Sequence, residues 1–131
     1  MVAASSTDAV AFSLSPGQAG DGPQGRKLIS ALGSTSRNIY LLMDKAYEGD
    51  ATRKLSIQMG YTPVVPPKDN RKKPWEYDKT LYKQRNQIER LFRRIKRFRR
   101  IFTRYDKLDI MFITFIFLAF TTDALINVNR L

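Results

Sequence analysis

Leu81-Tyr-Lys-Gln-Arg-Asn-Gln-Ile-Glu-Arg-Leu-Phe-Arg-Arg-Ile-Lys-Arg-Phe-Arg-Arg-Ile-Phe-Thr-Arg104 organises the rest of the chain. It holds no Pro and no Gly and is rich in good helix formers, so it predicts one long helix. On a helical wheel stepping about 100° per residue, Tyr82, Arg85, Glu89 and Lys96 share an arc of roughly 60°. Ile88, Leu91, Phe92, Ile95, Phe98 and Phe102 fill a neighbouring apolar arc, which predicts burial along one side. The carboxylate of Glu89 therefore lies at the edge of the buried face, among residues that can hold phosphate or orient an acid. On pattern alone the stretch also fits a basic amphipathic helix whose acid is a solvated i,i+4 partner.

The charge of the chain is concentrated around this predicted helix. The chain of 131 residues carries a formal charge of +11, and residues 68–107 hold 16 Lys/Arg against 5 Asp/Glu while the remainder balances at 7 of each. A dense basic segment on a neutral body is the footprint of a nucleic-acid binder, with an anionic membrane surface as the other candidate on charge alone. There is no Cys and no His, which excludes disulfides, thiol catalysis, Cys/His zinc sites and histidine bases. A metal would need oxygen ligands, which points to magnesium or manganese. With 43% hydrophobic residues the chain can build one modest domain with a core. No basic start followed by an apolar run opens the sequence, and a cytoplasmic protein is the expectation.

Upstream, residues 1–8 read as a disordered, frayed terminus and 9–14 as a short strand. Ser15 to Asp21 is a turn, and Asp21 with Pro23 starts a helix that Gly33 ends. Ile39-Tyr-Leu-Leu-Met43 is a continuous apolar run that suits a parallel strand buried on both faces, and it ends at Asp44. Asp50 caps a short helix over 51–59, Gly60 closes it, and Tyr61 to Val65 is a second strand. The three elements form a compact βαβ unit, with Pro63 placing the second strand at an edge or bulge. Lys68 to Asp78 reads as a mobile basic loop. Downstream of the basic helix, Ile110 to Phe120 is apolar all round, with Asp109 and Asp123 at its margins. Its 11 residues fall short of the roughly 20 a bilayer span needs, so it predicts a buried core helix rather than a membrane partner.

Several blocks carry a family resemblance. Tyr82-x2-Arg85-x3-Glu89-x6-Lys96 resembles the Y-(2)-R-(3)-E-(6)-K signature of bacterial insertion-sequence transposases of the DDE type. Leu41-Leu-Met-Asp44-Lys-Ala-Tyr47 is similar to that family's stretch around its second catalytic Asp, and Leu14-Ser-Pro-Gly-Gln-Ala-Gly-Asp21 to its L-(S/T)-P-G-Q-x-x-D turn. The blocks stand in the family's order across roughly residues 9–125. The resemblance implies an α/β chain with a partial ribonuclease H-like fold that lacks its first strand, with a long basic helix and an apolar C-terminal helix. Residues 9–131 would then be a truncated catalytic domain.

The resemblance also implies roles. Asp44 and Glu89 become catalytic and metal-binding carboxylates for Mg²⁺ or Mn²⁺, in a two-metal site left incomplete because the family's first Asp has no counterpart; Asp8 is not assigned to it. Tyr82, Arg85 and Lys96 become DNA-binding residues, and Arg93, Arg97 and Arg100, with Arg90, Arg94, Arg99 and Arg104, extend the phosphate track. The implied partners are DNA and either a full-length transposase or a separately encoded N-terminal part. The implied place is the cytoplasm, on the nucleoid. A catalytically dead DNA-binding or regulatory remnant fits the same residues. So does a membrane-surface protein anchored through 83–107, which binding to liposomes without DNA binding would favour. Loss of the first strand exposes a sheet edge, and poor solubility is expected.

Overall fold

The computed structural model describes residues 1–16, 18–98, 101, 103 and 107–128. The chain is mixed α/β and divides into two units, one of Met1–Leu14 with Asn86–Leu131 and one of Ser15–Arg85.

In the unit of residues 15–85, helix α1 spans Asp21–Leu32, strand β3 Ile39–Leu42, helix α2 Asp50–Gln58 and strand β4 Tyr61–Val64. β3 and β4 pair in parallel with Ile39 opposite Tyr61 and Leu42 opposite Val64, so the βαβ reading holds. Gly33 and Gly60 end the two helices with φ of 77° and 87°, where a side chain would be strained. The caps sit one residue earlier than the sequence suggests. Gly20 and Gly49 are the N-caps, and Asp21 and Asp50 lie in the first turns, where carboxylates favour the helix dipole. Ile29, Met43 and Val65 form the core, with Leu41, Tyr47, Leu55, Met59 and Trp75 packed around it.

β3 is not buried on both faces: Ile39 and Tyr40 are exposed, and only Met43 beyond its end is buried. With two strands in the sheet, each strand has an open edge, and Pro63 is tolerated on one of them. The basic loop is not loose either. The Trp75 indole N–H donates to the Val65 carbonyl at 2.9 Å, and the guanidinium carbons of Arg53 and Arg71 lie 3.5 and 4.6 Å from the centroid of its ring. Arg71 pairs with buried Glu48 at 2.8 Å and with Asp50, so charge and aromatic contact strap the loop to α2.

In the other unit, strands β1 (Val2–Ala3) and β2 (Ala9–Ala11) form an antiparallel pair, so the first eight residues hold a strand. Helix α4 spans Asn86–Ile95 and helix α5 spans Asp109–Val128. Leu91, Ile95 and Ala119 make the core between them, joined by Met1, Ala3, Ala9 and Phe98.

Two expectations about helices are corrected. The long basic helix is broken: α3 covers Lys79–Tyr82, a 3₁₀ turn covers Lys83–Arg85, and α4 ends at Ile95, with Lys96 and Arg97 in turns. A helix end commonly tightens to 3₁₀, and like charges at i,i+3 and i,i+4 among Arg90, Arg93, Arg94, Lys96 and Arg97 weaken the α4 terminus. The apolar helix is longer and barer than expected. Its 20 residues are enough, by length and composition, to cross a membrane, and only Phe112, Ile116 and Ala119 are buried. The helix runs on through Thr121, Thr122 and Asp123: the two hydroxyls satisfy themselves on the Phe117 and Leu118 carbonyls at 2.9 and 2.8 Å, and Asp123 finds a cationic partner.

Candidate nucleic-acid interface and carboxylate site

Asp44 sits just past the carboxyl end of β3, after the buried Met43. The Met43 N–H donates to the Val64 carbonyl at 3.0 Å, so sheet pairing carries on to the residue before the acid. Asp44 caps the short 3₁₀ turn Lys45–Tyr47, its Oδ1 accepting from the Ala46 N–H at 3.2 Å. Its Oδ2 lies 3.3 Å from Nη1 of Arg85. Two residues read from separate sequence blocks therefore meet in one unit.

Tyr82 completes this group. The Arg85 guanidinium lies 5.8 Å from its ring centroid, and Tyr77 meets the same ring edge-on at 5.5 Å. Burial raises the Tyr82 phenol above its ordinary value; nearby Arg85 lowers it, and the Asp44 charge raises it. Asp78 starts α3 by accepting from the Leu81 N–H at 2.9 Å, which fixes where Tyr82 and Arg85 emerge.

The rest of the signature lies in the other unit. Glu89 is in the first turn of α4 and exposed, a position favourable to a carboxylate. Arg93, Lys96 and Arg97 are exposed at the far end of the basic segment. Arg100 lies outside the described residues. Arg94 differs from its neighbours: its Nη2 and Nε hold the Asp123 carboxylate at 2.6 and 3.2 Å and its Nη1 donates to the Ser6 carbonyl at 3.2 Å. The hydrogen bond to Asp123 raises the Arg94 pKa further, and the side chain clamps α4 to α5 and to the Ser6 carbonyl. Its place on the wheel does not set it apart, since Arg85 lies closer to the apolar arc and Arg99 falls inside it.

A family profile described as "Transposase DDE domain" matches residues 1–122. The chain belongs to this family. A curated relative from Brucella ovis, named as a candidate transposase for insertion sequence element IS6501, is 34% identical over 105 residues, covering 79% of this chain and 78% of the relative. No solved structure matches.

In this transposase-family chain the donor chemistry suits a hard divalent ion, since carboxylates are available and His and Cys are absent. The number falls short: among the described residues no three acids gather as metal ligands. Sequence reading missed Glu48, a 6% exposed carboxylate held by Arg71 at 2.8 Å and Lys68 at 3.7 Å. Nothing in local periodicity marks it, because its partners lie 20 or more residues away.

Proposed function

We propose that this chain is the C-terminal part of an insertion-sequence transposase with a partial ribonuclease H-like fold. It binds DNA through phosphates and contributes Asp44 and Glu89 as two of three metal-binding carboxylates. The observation that carries the reading is Asp44 at the tip of a parallel strand, beside the Arg85 of the signature. Ligand sites of α/β sheets lie at such strand ends.

Strand cleavage and transfer are in-line displacements at phosphorus. A pair of Mg²⁺ or Mn²⁺ ions, when bound, supplies activation of the attacking oxygen and stabilisation of the leaving one. The chain's own residues grip and orient. Arg85 offers a planar fork to a phosphate, Tyr82 a hydroxyl, and Arg93, Lys96 and Arg97 point charges and forks along the backbone. None of these reads a base, so binding is tolerant of sequence. The first carboxylate comes from a full-length transposase or a separately encoded N-terminal part, and the work is done in the cytoplasm, on the nucleoid. The lack of a three-acid group among the described residues favours a second reading, DNA binding or regulation without chemistry.

The test is anisotropy of a labelled duplex against the purified chain across roughly 50–200 mM salt. Affinity falls steeply with salt and varies little with sequence. A flat response overturns the reading. Robust Mg²⁺-dependent nicking by the chain alone, abolished by Glu89→Ala, refutes the incomplete site.

A further inference from the structure

Arg85 and Asp44 each have a proposed role toward DNA or metal, yet in the free protein they pair with one another. We propose that Asp44 is an internal stand-in for a DNA phosphate on Arg85, a competitor that must be displaced before Arg85 grips DNA. The inference rests on the reading that Arg85 contacts phosphate.

Carboxylate and phosphate oxygens take the same guanidinium donors. Nη1 of Arg85 already faces Oδ2 of Asp44 at 3.3 Å. The acid does not move with its partner, because it stands at the end of β3 and its other oxygen is held by the Ala46 N–H at 3.2 Å. The Tyr82 ring, 5.8 Å from the guanidinium carbon, backs the arginine. The pair is nonetheless within reach of a strand of DNA, the side chains being 27% and 49% exposed for Arg85 and Asp44. Solvent screening at that exposure keeps the contact weak, so it is a brake that DNA can release and not a permanent bond.

The test is duplex affinity of the full chain at fixed low salt, measured by anisotropy for the wild type, Asp44→Asn, Arg85→Gln and the double variant. Asp44→Asn keeps an acceptor for the Ala46 N–H and removes the charge. It binds duplex about two- to fivefold tighter, the range that exposed ion pairs span. The same change in the Arg85→Gln background brings no gain, because there is no guanidinium to release. Asp44→Ser, which also retains a capping oxygen, reproduces the gain and guards against a folding artefact. An unchanged or weaker affinity in both Asp44 variants overturns the proposal. An equal gain with and without Arg85 overturns it too, since the acid would then act only through general charge. If Arg85→Gln leaves affinity unchanged whether or not Asp44 is replaced, the phosphate reading of Arg85 fails and the proposal with it.

Discussion

Replacing Arg94 by Ala separates a structural arginine from those proposed to bind DNA along one basic segment. The side chain is 19% exposed and Asp123 14%. Three hydrogen bonds go with it, two to a carboxylate at 3.2 and 2.6 Å and one to the Ser6 carbonyl at 3.2 Å. A charge-assisted bond is worth about 1.5–3 kcal/mol, and removing one partner of a fully buried pair costs roughly 3–5 kcal/mol. Asp123 keeps some solvent and a contact with the Asn127 amide at 3.4 Å, so a loss of about 2 kcal/mol is expected. For a chain of this size that lowers Tm by roughly 5–10 °C. The assay is thermal unfolding by circular dichroism, run beside duplex binding as a function of salt. Arg93→Ala and Arg97→Ala, both exposed, shift stability by less than about 0.5 kcal/mol and each flatten the log–log salt slope by about 0.9. Arg94→Ala does the reverse, losing stability and keeping the slope. An Arg94 variant that is fully stable and loses slope like its neighbours would mean that Arg94 is not a clamp.

Three further outcomes follow from packing and charge. Arg71→Ala leaves buried Glu48 with Lys68 at 3.7 Å and uncovers the single Trp75; about 1–3 kcal/mol of stability is lost, and tryptophan emission shifts to the red as the strap opens. Gly25→Ala places a methyl 2.5 Å from the Tyr47 ring, and urea unfolding registers a loss of about 1–3 kcal/mol from overpacking. Burial raises the phenols of Tyr47 and Tyr82 above 10.0, so the folded state holds their protons longer than the unfolded one; the stability they lend is whole below pH 10.0 and drains away as pH rises through the folded values. Ultraviolet titration of phenolate detects the delay, and Asp44→Asn shortens it at both tyrosines, since the Asp44 charge is one of its causes.

The βαβ segment was readable because its signals are local. An apolar run stops at Asp44, Gly60 has φ of 87°, and Pro63 stands where only an open edge admits it. The position of Asp44 at a strand end follows from the same run. The break in the basic helix was not readable, because a wheel assumes one continuous α-helix through Lys83–Arg85, where the chain tightens to 3₁₀. Arg94 and Arg93 have the same chemistry in sequence, and only Asp123, 29 residues on, tells them apart. The apolar run ends at Phe120 while the helix goes on to Val128, because an apolar run does not mark where polar residues such as Thr121 and Thr122 stay helical with their hydroxyls bonded to carbonyls one turn back. The strap around Trp75 needed Arg53, 22 residues before it, to meet Arg71, four residues before it, over one ring, a meeting no periodicity announces.

The proposed function stands or falls on whether Asp44 and Glu89 are metal ligands. Manganese binding to the whole chain, followed by the loss of the free-ion signal in electron paramagnetic resonance, measures this without any turnover. Asp44→Asn and Glu89→Gln are each expected to weaken that binding. Manganese binding that ignores both substitutions, or answers to one acid only, contradicts the proposed function.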